Sequence, residues 1–131
     1  MTKESYLLKI STLWLITLTY MGLIYFLSSL TLDRLPSLPH GSDKILHTCL
    51  YAVLSFLYFH SLSRSGIKRH CFLIALLLTS IYAVSDEFHQ YFVPGREASA
   101  GDLIADFIGG FIGSSLASAM TCRNRQKDVK Q

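Results

Sequence analysis

The sequence predicts an all-α fold, an integral membrane bundle of four transmembrane helices forming one domain over residues 1–131. Three observations carry that reading. Half of the residues are hydrophobic and only 16% are charged, with a mean hydropathy of +0.36. The apolar residues gather into blocks of roughly 20, the length a helix needs to cross ~30 Å of hydrocarbon at about 1.5 Å per residue. Within the blocks there is no polar stripe of the kind a soluble core helix presents to water; "LWLITLTYMGLIYFL" has none.

The first helix is expected at about residues 7–30. It is long for the apolar region of a signal peptide, and "SSLTLDRLPS" has no clear small-x-small cleavage site, so it reads as a retained span. The second is expected at 45–62 and the third at 71–92, stopped by Pro94-Gly95. The fourth is expected at 103–120. Its "ADFIGGFIG" sets Ala105, Gly109 and Gly113 at the small-xxx-small spacing that permits close helix contact. In the preceding loop, "VPGREASAGD", Pro94-Gly95 predicts a turn and Ser99, three residues before Asp102, a capping-box-like start. Cys49, Cys71 and Cys122 have no metal-type spacing and give no disulfide framework, so they are expected as small buried hydrophobes.

Orientation follows from Lys and Arg. Lys3 and Lys9, the middle loop (Arg64, Lys68, Arg69) and the C-terminal Arg123, Arg125, Lys127 and Lys130 make nine of the twelve bases. With four spans they share one side, which the positive-inside rule makes cytoplasmic. The expected localisation is therefore the cell membrane, multi-pass, with both termini cytoplasmic. The tail "RNRQKDVK" reads as an orientation signal meeting anionic lipid, and no nucleic-acid partner is expected. On the outer side Arg34, Lys44 and Arg96 face seven acids: Asp33, Asp43, Asp86, Glu87, Glu97, Asp102 and Asp106.

Several of these outer residues lie within helices. Lys44, His47 and Tyr51 share a face at i, i+3, i+7 near the start of the second helix. Asp86, His89 and Gln90 share one at i, i+3, i+4 near the end of the third, with Glu87 pointing about 100° away. Asp102 and Asp106 stack at i, i+4 at the start of the fourth, and the loop returns Arg96 toward the carboxylates. All these helix ends fall on the same side, so a polar cluster is expected there, turned inward because a lipid-facing carboxylate costs several kcal/mol. His40 lies in a Pro/Gly loop, and His60 and His70 lie near the opposite side.

"DKILHTCLY" (43–51), "SDEFHQYFVPGR" (85–96) and "DLIADFIGGFIG" (102–113), following a first helix that ends in "FLSS", resemble the VanZ-like membrane proteins over most of residues 26–113. The family is named for a protein associated with reduced sensitivity to teicoplanin, a lipid-tailed glycopeptide that targets cell-wall precursors. The resemblance implies a small helical envelope protein. The family's motif residues correspond here to Asp43, Lys44, His47, Tyr51, Asp86, Glu87, His89, Gln90, Pro94, Arg96, Asp102 and Asp106. Many members carry Asn where this chain has Asp106.

Three readings of the cluster follow. In the first, Lys44, His47, Tyr51, Asp86, Glu87, His89, Gln90, Arg96, Asp102 and Asp106 bind or handle an anionic envelope lipid or cell-wall precursor. Lys44 and Arg96 would supply the phosphate donors, and helices two and four would turn their positive N-terminal ends to the same surface. In the second they are polar glue that fixes helix register. In the third the protein is a metal-assisted lipid-phosphate hydrolase. Its catalytic candidates are Asp86, His89 and His47, and its divalent-metal candidates are His47, Asp86, His89, Asp102 and Asp106. No H-E-x-x-H is present, and Ser85 has no obvious activating base.

The charge asymmetry yields a direct test of topology. A reporter fused after Gln131 is expected to read as cytoplasmic, and one inserted near Ala98 as extracytoplasmic. The reverse pattern would move the polar cluster to the other compartment.

Overall fold

The structure, a computed structural model, describes residues 3–31, 42–96 and 98–128. Asp33, Arg34, His40, Glu97 and Lys130, singled out above, lie outside them, as do the side chains of Arg125 and Lys127. Four helices follow one another: α1 (Lys3–Ser28), α2 (Ser42–Arg64), α3 (Cys71–Gln90) and α4 (Ala100–Asp128). Each is long and apolar enough to cross a membrane, α4 over Ala100–Arg123. The described residues contain no strand. The helices begin up to four residues earlier than the hydrophobic blocks, because polar first turns such as Ser42–Lys44 are also helical. Beyond Gln90 the chain tightens into i→i+3 bonds, Phe92 N–H to His89 O (3.0 Å) and Val93 N–H to Gln90 O (3.0 Å).

The bundle is apolar outside. Leu8, Ile45, Phe88 and Ile104 all point outward and are more than 60% exposed. Water would make that surface aggregate, whereas hydrocarbon solvates it. Inside, small hydroxyls are buried and paired: Thr17 with Ser61 (3.0 Å) and Ser55 with Ser114 (2.6 Å). Such bonds between helices suit a solvent that offers no competing partner. The cysteine expectation holds only for Cys71, which is buried; Cys49 and Cys122 are exposed. Their helix faces turn outward, where lipid accommodates a thiol as readily as a core does.

The tightest seam joins α2 to α4. A Cβ on Gly109 would collide with the carbonyl oxygen of Thr48, and one on Gly113 with that of Ala52. With hydrogens there instead, the two backbones approach so closely that Thr48 Oγ1 donates to Ala105 O at 3.2 Å. α3 packs against both α2 and α4, while α1 packs against α2 and α3 and not against α4. Aromatic tips and backbone carbonyls tie α1 in place. Tyr20 OH reaches Leu50 O (3.2 Å), and Tyr82 OH reaches Met21 O (2.7 Å).

Two turns set the up-and-down order. After α2, Gly66 (φ 96°) closes a Schellman pair, Gly66 N–H to Ser63 O and Ile67 N–H to Leu62 O. After α3, Gly95 (φ 80°) follows Pro94 and Arg96 N–H bonds Val93 O at 3.1 Å, a type II turn as Pro-Gly predicts.

The glycine seam is testable against a control. Gly109→Ala and Gly113→Ala are each expected to lower stability in detergent by about 1–3 kcal/mol, since neither neighbouring carbonyl can retreat. Gly22→Ala, which would meet nothing within 4 Å, is expected to be neutral or stabilising by up to ~1 kcal/mol. Thermal unfolding of the three variants reads the difference, and equal effects at all three positions would refute the seam.

Candidate functional site

At one end of the bundle the end of α1, the start of α2, the end of α3 and the start of α4 meet. The i, i+3 spacing on α2 meets the i, i+4 spacing on α4 as two rungs. Lys44 Nζ lies 2.9 Å from Asp102 Oδ1, and His47 Nδ1 lies 2.9 Å from Asp106 Oδ1. The glycine seam places these rungs: α4 is close enough for side chains one turn apart to reach straight across. Gly101 adds clearance, since a Cβ there would stand 3.1 Å from Lys44 Nζ. The first rung is half open to solvent at Lys44, whereas Asp106 is fully enclosed.

The polar turn of α3 divides between two neighbours. Asp86 faces α2: its Oδ2 accepts from Tyr51 OH (3.1 Å) and from Gln90 Nε2 (3.2 Å). Glu87, one residue on and about 100° around the helix, faces the start of α4. Its Oε2 accepts the backbone N–H of Ser99 at 2.8 Å. Ser99 caps α4 with its own hydroxyl, which accepts from Gly101 N–H (3.1 Å). The expected capping box is thus completed from another helix, because Asp102 is committed to Lys44 and Glu87 takes the free Ser99 N–H.

His89 leaves the cluster. It turns to α1, where Nε2 pairs with Ser29 Oγ at 3.0 Å and the ring lies 4.4 Å from that of Tyr25. Arg96 also differs from expectation. Among the described residues it pairs with no carboxylate; its Nε donates to Leu30 O (3.2 Å) and its Nη2 to Leu27 O (3.0 Å). The last carbonyls of a helix lack partners within it and carry its negative dipole end, so a planar cation settles there. Ser85 is exposed and takes no part in the cluster.

Of the five divalent-metal candidates expected from sequence, His47 and Asp106 come together, while Asp86, His89 and Asp102 are paired elsewhere. Asp86 is held by Tyr51, His89 by Ser29 and Asp102 by Lys44. Instead His47, Glu87 and Asp106 each offer one donor atom, and the three atoms lie within 4.8 Å of one another. One oxygen of each inner carboxylate is unpartnered: Asp86 Oδ1, Glu87 Oε1 and Asp106 Oδ2. The signal for Glu87 was its position one residue from Asp86, which hands it to a different neighbour. Beside the cluster a cavity of about 290 Å³ lies between α1, α2 and α3. Ile24, Leu27, Leu46 and Leu50 form its apolar wall, and His47, Tyr51, Asp86 and Arg96 line its polar end.

A sequence model of the family described as VanZ/LLP1 matches residues 8–121. No curated protein and no solved structure matches the chain significantly.

Burial ranks the contacts. Tyr51→Phe strips a donor from an enclosed carboxylate and is expected to cost about 1–3 kcal/mol in detergent unfolding. Lys44→Ala opens a half-solvated pair and is expected to change stability little, with the small effect fading as salt rises. A larger loss for Lys44→Ala than for Tyr51→Phe would show that the outer rung, and not the inner carboxylate, anchors this end.

Proposed function

This chain belongs to the VanZ/LLP1 family, and from that premise we propose that this multi-pass membrane protein binds an anionic envelope lipid or lipid-linked cell-wall precursor. The bound head group sits at the polar end of the bundle, on the extracytoplasmic side. The cavity between α1, α2 and α3 is the observation that carries the proposal. It combines an apolar wall with a polar end, the division a lipid itself has, and its volume suits a head group and the first part of a chain. Arg96 lies at the polar end with only Nε and Nη2 committed to α1, which leaves Nη1 donors for phosphate. The N-terminus of α2 turns its positive dipole end to the same place, with Asp43 of its first turn also on the cavity wall. The Lys and Arg excess elsewhere supports the outer face for this end. Occupancy by a cell-wall precursor would give the family's link to teicoplanin a physical basis.

A reading as polar glue is favoured by the pairing of one oxygen on every carboxylate. That pairing fixes helix register, but it does not account for the three enclosed oxygens left over. Burying half-satisfied carboxylates is an expensive route to register when interhelical hydrogen bonds in membranes average about 0.6 kcal/mol.

Filling the cavity separates the two readings. Leu50→Trp projects an indole into the space and removes no side chain that takes part in a polar pairing. In native mass spectrometry, wild-type protein is expected to retain phosphatidylglycerol in preference to phosphatidylcholine. The variant is expected to lose that retention by at least about tenfold, about 1.4 kcal/mol, at nearly unchanged melting temperature. Absence of a head-group preference in the wild type, or undiminished retention in Leu50→Trp, would leave the glue reading standing.

A further inference from the structure

The geometry points to a divalent transition-metal site formed by His47 of α2, Glu87 of α3 and Asp106 of α4. Three helices each deliver one ligand-capable side chain to the same few ångströms. Glu87 is 4% exposed and Asp106 1% exposed, and each keeps one oxygen without a hydrogen-bond partner, Oε1 and Oδ2 respectively. A buried, half-satisfied carboxylate is costly, and two of them beside one imidazole call for a positive charge between them. Beyond His47, which pairs with Asp106, no side-chain cation among the described residues supplies it: Lys44 is bonded to Asp102, and Arg96 donates to the carbonyls at the end of α1.

One separation within the triad already suits an ion. His47 Nδ1 and Asp106 Oδ1 are 2.9 Å apart. Two ligands on one tetrahedral ion, with bonds of about 2.0–2.1 Å, stand roughly 3.3 Å apart. For this pair an ion replaces the hydrogen-bonded proton with a movement of a few tenths of an ångström, and Glu87, whose ligand atom lies within 4.8 Å of both, closes the remaining distance. His47 then binds as neutral imidazole with its proton on Nε2. The donor set, one imidazole nitrogen and two carboxylates, suits Zn²⁺ or Mn²⁺ better than Ca²⁺ or Mg²⁺, which prefer oxygen alone. Two carboxylates neutralise the ion, and three protein ligands leave it an open coordination position. His47 belongs to both the triad and the cavity wall, so the ion and any cavity ligand are neighbours. The proposal stands without the lipid reading.

Tag-free wild-type protein in detergent, with no lipid added, is titrated with Zn²⁺ and Mn²⁺ and analysed for bound metal. About one ion per chain is expected. Glu87→Gln keeps an oxygen for the Ser99 N–H, and Asp106→Asn keeps one for His47. Each is expected to weaken binding by at least about tenfold while retaining the fold. His89→Ala, whose ring bonds Ser29 on α1, is expected to bind as wild type. Titration with Co²⁺ reads the same site in the unmodified chain through its visible absorption. The proposal is overturned by wild-type protein that takes up no metal, by full binding in both Glu87→Gln and Asp106→Asn, or by equal loss in His89→Ala.

Discussion

The near-contact of the α2 and α4 backbones at Gly109 and Gly113 is the constraint on which this end of the molecule depends. Lipid offers no hydrophobic drive for two apolar helices to associate, so close packing and short polar bonds have to hold them. Hydrogen in place of Cβ at two successive turns provides the packing. It also fixes rotation, because Gly109 and Gly113 lie on the face of α4 that meets the α2 backbone. That rotation turns Asp102 and Asp106, upstream on the same face, onto Lys44 and His47. α3 then packs into the groove between the pair and brings Asp86 and Glu87 to the same level.

The electrostatics of the cluster are graded by depth. The outer rung is open to solvent at Lys44, and the inner acids are enclosed. Enclosed carboxylates are tolerated when bonded and are costly when half bonded. Every inner acid here has one oxygen bound and one bare. A network selected only to hold helices together would close those valences with Ser, Thr or Asn, as Ser55 and Ser114 do deeper in the same seam.

Much of this was legible in the sequence. Hydropathy located the four helices, the Pro-Gly dipeptide marked its turn, and the small-residue spacing marked the seam, because each depends on local chain chemistry. Convergence of Lys44, His47, Asp102 and Asp106 followed from helix ends at equal depth. Which neighbour each residue of α3 would face did not follow. Helical spacing gives the angle between Asp86, Glu87 and His89, but not the zero of that angle, which tertiary packing sets. Spacing alone therefore puts His89 among the metal candidates and leaves Glu87 out, although the fold sends His89 to Ser29 and Glu87 toward His47 and Asp106. The partners of Arg96 are hidden for a related reason. Counting charges favoured a carboxylate partner, whereas the bare carbonyls at the end of α1 are nearer and invisible to a charge count. The exposed Cys49 and Cys122 repeat the lesson: in a bilayer an apolar residue has two acceptable destinations.

The rungs join residues 58 and 59 positions apart, across an entire intervening helix. During synthesis, α2 enters the membrane with Lys44 and His47 before α4 exists, and α3 follows with Asp86 and Glu87 equally unmatched. Their place at helix termini lets these groups wait in the hydrated head-group layer instead of in hydrocarbon. Only when the last helix arrives, bringing Ser99, Asp102 and Asp106 together, do the earlier ones acquire partners. Translation order thus makes the polar centre the final product of assembly, and a chain that stalls before α4 leaves Lys44, His47 and Glu87 without these partners.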